Sequence, residues 1–149
     1  MPHCRSRLAA ALVASATLAL VTTVAPAAKP AAGMNLTARL TGAAEVPPGP
    51  GDATGSFTGT FNAAHNQLCY ELKSEKLETP TAAHIHQGVV GQNGGPVVML
   101  KPPKNGMSKA CVAVETDLAM KLMGHPENYY VNVHNAAYPN GGLRGQLTK

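Results

Sequence analysis

The chain has no tryptophan, two phenylalanines and four tyrosines, and charged side chains make up 13% of its 149 residues. Aromatics so few and scattered offer no stacking platform for bases. No cluster of lysine and arginine offers a track for a phosphate backbone, so nucleic-acid binding finds no support. There is also no Ser/His/Asp order, no carboxylate pair suited to acid–base work and no thiol in a reactive context. Hydrolysis without a metal therefore has little to work with. No CxxC spacing occurs, which argues against a thiolate metal site. Internal repeats and long helical patterns are absent as well.

The one extended apolar run lies at the N-terminus. Arg5 and Arg7 precede an uncharged stretch from Leu8 to Val24, and Ala25-Pro26-Ala27 follows with small residues. This reads as a secretory signal peptide over residues 1–27. The alternative, a retained membrane anchor, is disfavoured by a short run rich in Ala and Thr. Cys4 has no lipobox-like context. Cleavage leaves a leader at 28–34, expected to be flexible, and one domain over 35–149 with no membrane span, secreted or periplasmic. Ten Lys/Arg then face eight Asp/Glu, so part of the basic charge departs with the signal.

Cys4 departs too, which leaves Cys69 and Cys111. Two cysteines in an exported chain suggest one disulfide, and two free buried thiols are the alternative. A bridge over that loop is worth roughly 3–4 kcal/mol in the chain-entropy picture.

From Leu36 onward, short β-patterned runs alternate with Gly, Pro and Asn punctuation. Strands are expected at Leu36–Leu40, Thr54–Phe61, Gln67–Leu72, Ala83–Gln87, Pro96–Leu100, Ala110–Val114, Tyr129–His134 and Gly142–Leu147. Pro139-Asn140-Gly141-Gly142 is a hairpin-type loop between the last two. Helical spacing between Asp117 and Met123 predicts one or two turns, with Thr116 or Asp117 able to cap the start. The fold class is all-β, a Greek-key β-sandwich of about seven or eight antiparallel strands with one short helical segment.

In a strand, His84 and His86 point to one face and Ile85 to the other. Their backbones are about 6–7 Å apart on that face, within reach of one metal ion. Tyr129, Val131 and Val133 take the apolar face of a later strand, which puts Tyr130, Asn132 and His134 on the polar one. His84, His86 and His134 are thus the candidate ligands of a three-nitrogen site. Imidazoles without carboxylates favour copper, with zinc as second choice. The alternative is that these are hydrogen-bonded polar side chains.

His65, in an exposed turn, and His125, before a proline, are weaker candidates for a fourth ligand. Gly88, Gly91, Gly94 and Gly95 either shape the mouth of the site or serve turns that need positive φ. Arg144 is either a buried partner for Glu45 or a guide for an anion approaching the metal.

Four segments carry a resemblance. Leu40-Thr41-Gly42-Ala43-Ala44-Glu45-Val46-Pro47-Pro48, Ala83-His84-Ile85-His86-Gln87-Gly88, Tyr130-Val131-Asn132-Val133-His134 and Gly142-Leu143-Arg144-Gly145-Gln146-Leu147 together resemble the CHRD (chordin-type) domain, from about Leu36 to Leu147. Gly142 departs from the family, which often has an acidic residue there. The resemblance implies an extracellular or exported β domain and no particular activity. The layout is also similar to Cu/Zn superoxide dismutase, which implies that His84, His86 and His134 match copper ligands. The bridging histidine and the zinc-site aspartate of that enzyme have no counterpart. One copper ion is therefore expected, for copper handling or superoxide and redox protection. The alternative is a metal-free extracellular protein-interaction module.

Overall fold

The computed structural model describes residues 33–62 and 64–149. The expected signal peptide and residues 28–32 of the leader lie outside the described residues. Met34, the last residue assigned to that leader, already belongs to the first strand.

Eight strands form in chain order: β1 (Met34–Thr41), β2 (Thr54–Asn62), β3 (Gln67–Glu75), β4 (Ala82–Gln87), β5 (Pro96–Leu100), β6 (Met107–Ala113), β7 (Tyr129–His134) and β8 (Leu143–Gln146). One helix, α1 (Thr116–Gly124), crosses between β6 and β7. All neighbouring pairs are antiparallel, in the order β5-β4-β7-β8-β1-β2-β3-β6. The layers of the all-β fold are thus parts of one continuous hydrogen-bonded sheet, strongly curled so that it is nearly a barrel.

Alternation along the strands sorts the side chains. Leu36, Ala38 and Leu40 of β1, Phe57 and Phe61 of β2, Leu68, Tyr70 and Leu72 of β3, and Ile85 of β4 turn into a single core. Val131 and Val133 of β7 join them, and Leu143 of β8 closes it. Burying an aliphatic or phenyl side chain of this size contributes about 1.5–3 kcal/mol. A one-residue slip of register would turn each of these side chains outward.

Cys69 and Cys111 sit directly opposite each other on β3 and β6 and form a disulfide. It ties the edge strand β6 to its neighbour. Helix α1 differs from expectation at its start, where neither Thr116 nor Asp117 caps it. Glu115 holds the N-cap position without a side-chain bond. The Thr116 hydroxyl instead accepts a hydrogen bond from Asn66 Nδ2 at 3.2 Å. Ala119 and Leu122 anchor the helix in the core.

The outer face of β4, β7 and β8 is covered by two connections. Glu45, in residues 42–53 between β1 and β2, bonds Asn132 of β7. Val89, Gln92 and Asn93, in residues 88–95 between β4 and β5, bond Arg144 of β8. Asn93 Nδ2 donates to the Val46 carbonyl, joining the two connections.

Candidate metal centre

On β4, Ala83 and Ile85 are buried in the core, so His84 and His86 project from the outer face. On β7, Val131 and Val133 are buried inward, so Tyr130, Asn132 and His134 project outward. Pairing of the two strands puts Asn132 opposite His84, Tyr130 opposite His86 and His134 opposite Ala82. The three histidines therefore share one patch.

Their ring centroids are 5.0 Å apart for His84 and His134, 5.4 Å for His84 and His86, and 6.2 Å for His86 and His134. One nitrogen from each ring lies within 4.8 Å of the others. Four-coordinate bonds of about 2.0–2.1 Å need nitrogens about 3.4 Å apart. Side-chain rotations that move the nitrogens by about an ångström would close the set.

Two backbone carbonyls set the tautomers. His86 Nδ1 lies 2.8 Å from the Gly94 carbonyl oxygen, and His134 Nδ1 lies 2.9 Å from that of Pro139. A carbonyl only accepts, so each Nδ1 carries the proton and each Nε2 keeps its lone pair. This is how metal-binding imidazoles are oriented from outside the ligand shell. His134 Nε2 faces His84 Nδ1 at 3.1 Å. His86 Nε2 is buried and has no hydrogen-bond partner.

Burial pushes all three imidazoles below their ordinary pKa. For His84 burial comes first, followed by repulsion from His134 and His86, and its pKa falls to about 4. For His86 burial outweighs the bond to Gly94, and for His134 it outweighs the bond to Pro139. The patch is neutral at pH 7, the state in which imidazole binds a cation.

Arg144 is 2% exposed. Its guanidinium donates to Asn93 Oδ1 at 3.1 Å, Val89 O at 3.1 Å and Gln92 O at 2.6 Å. It also lies 3.5 Å over the Tyr130 ring, on which the His86 ring stacks. The direct pairing with Glu45 weighed from sequence is not made, since no carboxylate lies within 4.0 Å of Arg144 among the described residues. Glu45 instead accepts from Asn132 Nδ2 at 2.6 Å. The guanidinium is buried and holds the 88–95 loop down through these bonds.

His65 is exposed and His125 pairs with Glu127, so neither joins the cluster. Of the four loop glycines, Gly91 alone has a positive φ, at 77°. Gly94 is required for a different reason: a Cβ there would sit 1.6 Å from the Gln87 carbonyl oxygen. The anchoring carbonyls of Gly94 and Pro139 and the stack through Tyr130 were not foreseen, because backbone acceptors leave no mark on residue type.

A family model for the CHRD domain matches residues 36–147. The chain belongs to the CHRD-domain family. No curated protein and no solved structure matches it. Within this CHRD domain the four motif segments converge on one place. Leu40–Pro48 brings Glu45 over β7, and the other three supply β4, β7 and β8 themselves. CHRD domains are extracellular-type modules, and the Cys69–Cys111 disulfide fits an oxidising compartment. No helix among the described residues is long and apolar enough to cross a membrane.

Proposed function

We propose that this exported CHRD domain binds one copper ion through His84, His86 and His134. The observation that carries the reading is His86 Nε2, a buried ring nitrogen with a free lone pair and no hydrogen-bond partner, on a ring clustered with two further imidazoles. Leaving such an atom unsatisfied costs about 1–3 kcal/mol, and a bound cation removes that cost. Three neutral imidazoles without a carboxylate suit copper first and zinc second. The 3.1 Å bond between His84 and His134 has to open, with the shared proton moving to His84 Nε2 so that Nδ1 can bind.

The remaining residues are positioning groups. Gly94 and Pro139 orient two rings, and Arg144 and Tyr130 hold the loop that carries Gly94. His84 and His134 stay partly accessible, so a small molecule can approach from outside. Bound copper would supply one-electron chemistry, which suits copper handling or redox protection outside the cytoplasm.

The test is the EPR spectrum of copper-loaded protein beside a His84→Ala/His86→Ala variant. A nitrogen-ligated Cu(II) signal that disappears in the variant supports the reading. An unchanged signal sinks it. If copper also leaves the melting temperature of wild type unmoved, the metal-free interaction module is the better account. A superoxide dismutation assay of the loaded protein separates enzyme from carrier.

A further inference from the structure

We propose that Met99 is a fourth, thioether ligand of this site and biases it toward Cu(I); the inference rests on the copper reading above. Strand β5 lies at the sheet edge beside β4. Val98 and Leu100 are buried, so Met99 points to the outer face, the face of the histidines. In the β4–β5 register Met99 is directly opposite His84. Residues so placed have Cβ atoms about 4.5–5.5 Å apart, and the unbranched methionine side chain reaches past that distance.

The surroundings single this side chain out. Met99, His84, Asn132 and Arg144 form one cross-strand row over β5, β4, β7 and β8. Met99 is its one apolar member, and it is 65% exposed. Core packing therefore does not account for a large apolar residue at this position. A register shift after Ile85 sets Pro96 opposite His86, which leaves Met99 as the outward side chain of β5 next to the histidines. Three neutral imidazoles and a thioether form a soft set with no negative charge. Such a set stabilises Cu(I) relative to Cu(II) and discriminates against zinc.

Among the described residues, a sulfur found on the metal can be assigned. Among the described residues the other methionines lie on β1, β6 and α1, none of which is bonded to β4 or β7, and Cys69 and Cys111 are joined to each other. The experiment is X-ray absorption of the Cu(I)-loaded protein, with Cu(I) and Cu(II) affinities from chelator competition, for wild type and Met99→Leu. Leucine keeps the bulk at an exposed position, so folding is unaffected. Wild type should show a sulfur shell at about 2.3 Å that Met99→Leu lacks. The variant should bind Cu(I) roughly tenfold or more weakly, with Cu(II) affinity within about threefold of wild type. No sulfur shell in wild type, or equal Cu(I) affinities, overturns the role of Met99. His84→Ala/His86→Ala, measured alongside, keeps the two readings apart. If that variant loses copper while Met99→Leu behaves as wild type, Met99 alone is misassigned; if it keeps Cu(I), the copper site itself is wrong.

Discussion

His84 Nδ1 lies 3.1 Å from His134 Nε2, joining two rings that stand 50 residues apart in sequence on paired strands. The contact needs an N–H on one facing nitrogen and a lone pair on the other, so it is lost once both rings are doubly protonated. Both rings have pKa values below the ordinary range, and that of His84 is about 4. A base with a depressed folded pKa contributes stability that is present above its unfolded value of about 6.5 and is lost as pH falls through the folded one. In a Glu45→Gln background, which removes the opposing titration of that buried carboxyl, the copper-free protein should therefore lose melting temperature between about pH 6.5 and pH 4. His84→Asn should flatten that loss, and a variant as steep as its parent would contradict the assignment.

Gly94 links the loop to the site through both of its backbone groups. Its N–H donates to the Tyr130 hydroxyl at 3.2 Å, and its carbonyl accepts from His86 Nδ1 at 2.8 Å. Gly94→Ala would place a methyl against the Gln87 carbonyl, so the loop must shift. Copper affinity should drop about 10- to 100-fold, the usual effect of losing an outer partner of a ligand. Chelator competition reads this directly. An unchanged affinity would show that the carbonyl does not orient His86.

Arg144 should matter for stability before anything else. Arg144→Leu removes three donors and leaves the Val89 and Gln92 carbonyls and Asn93 Oδ1 without their partner. A loss of about 3–5 kcal/mol in denaturant unfolding is expected. Arg144→Lys should recover little of it, since an ammonium cannot reproduce the planar fork over Tyr130. Full rescue by lysine would mean that charge alone is needed there.

Glu45 gives a pH dependence of the opposite sign. Burial raises its pKa to about 7, partly offset by the positive charge of Arg144 and the Val46 N–H. Its protonated form is favoured in the fold, so its contribution is present below about pH 4.5 and is lost as pH rises through about 7. Glu45→Gln stays neutral throughout and should be more stable than wild type at pH 8, by up to about 3 kcal/mol. The advantage should vanish near pH 4.5. Thermal melts of the two proteins across this range decide it, and a difference independent of pH would contradict the assignment.

Strand phase made most of the candidate site legible. Ile85 inward places His84 and His86 together, and Val131 and Val133 inward bring His134 to the same face, because side-chain alternation depends on residue type and spacing alone. Some strand limits were readable for the same reason; Pro96–Leu100 and Tyr129–His134 form as expected, whereas β3 runs on to Glu75 and β6 begins at Met107 rather than Ala110. Closure of all eight strands into one sheet was not readable, since alternation says nothing about which edge meets which. The Gly94 and Pro139 carbonyls and the loop acceptors of Arg144 were hidden too, because every residue offers a carbonyl. Thr116 matched the residue type of a cap, but its hydroxyl serves Asn66, a tertiary contact no local pattern records.

The central claim concerns one copper ion and three rings, and the copper content per chain after dialysis against a weak chelator tests it most directly. Wild type should retain about one equivalent, and His86→Ala, which removes the buried unpartnered Nε2, should retain almost none. Equal copper in the two proteins, or none in either, would contradict the account.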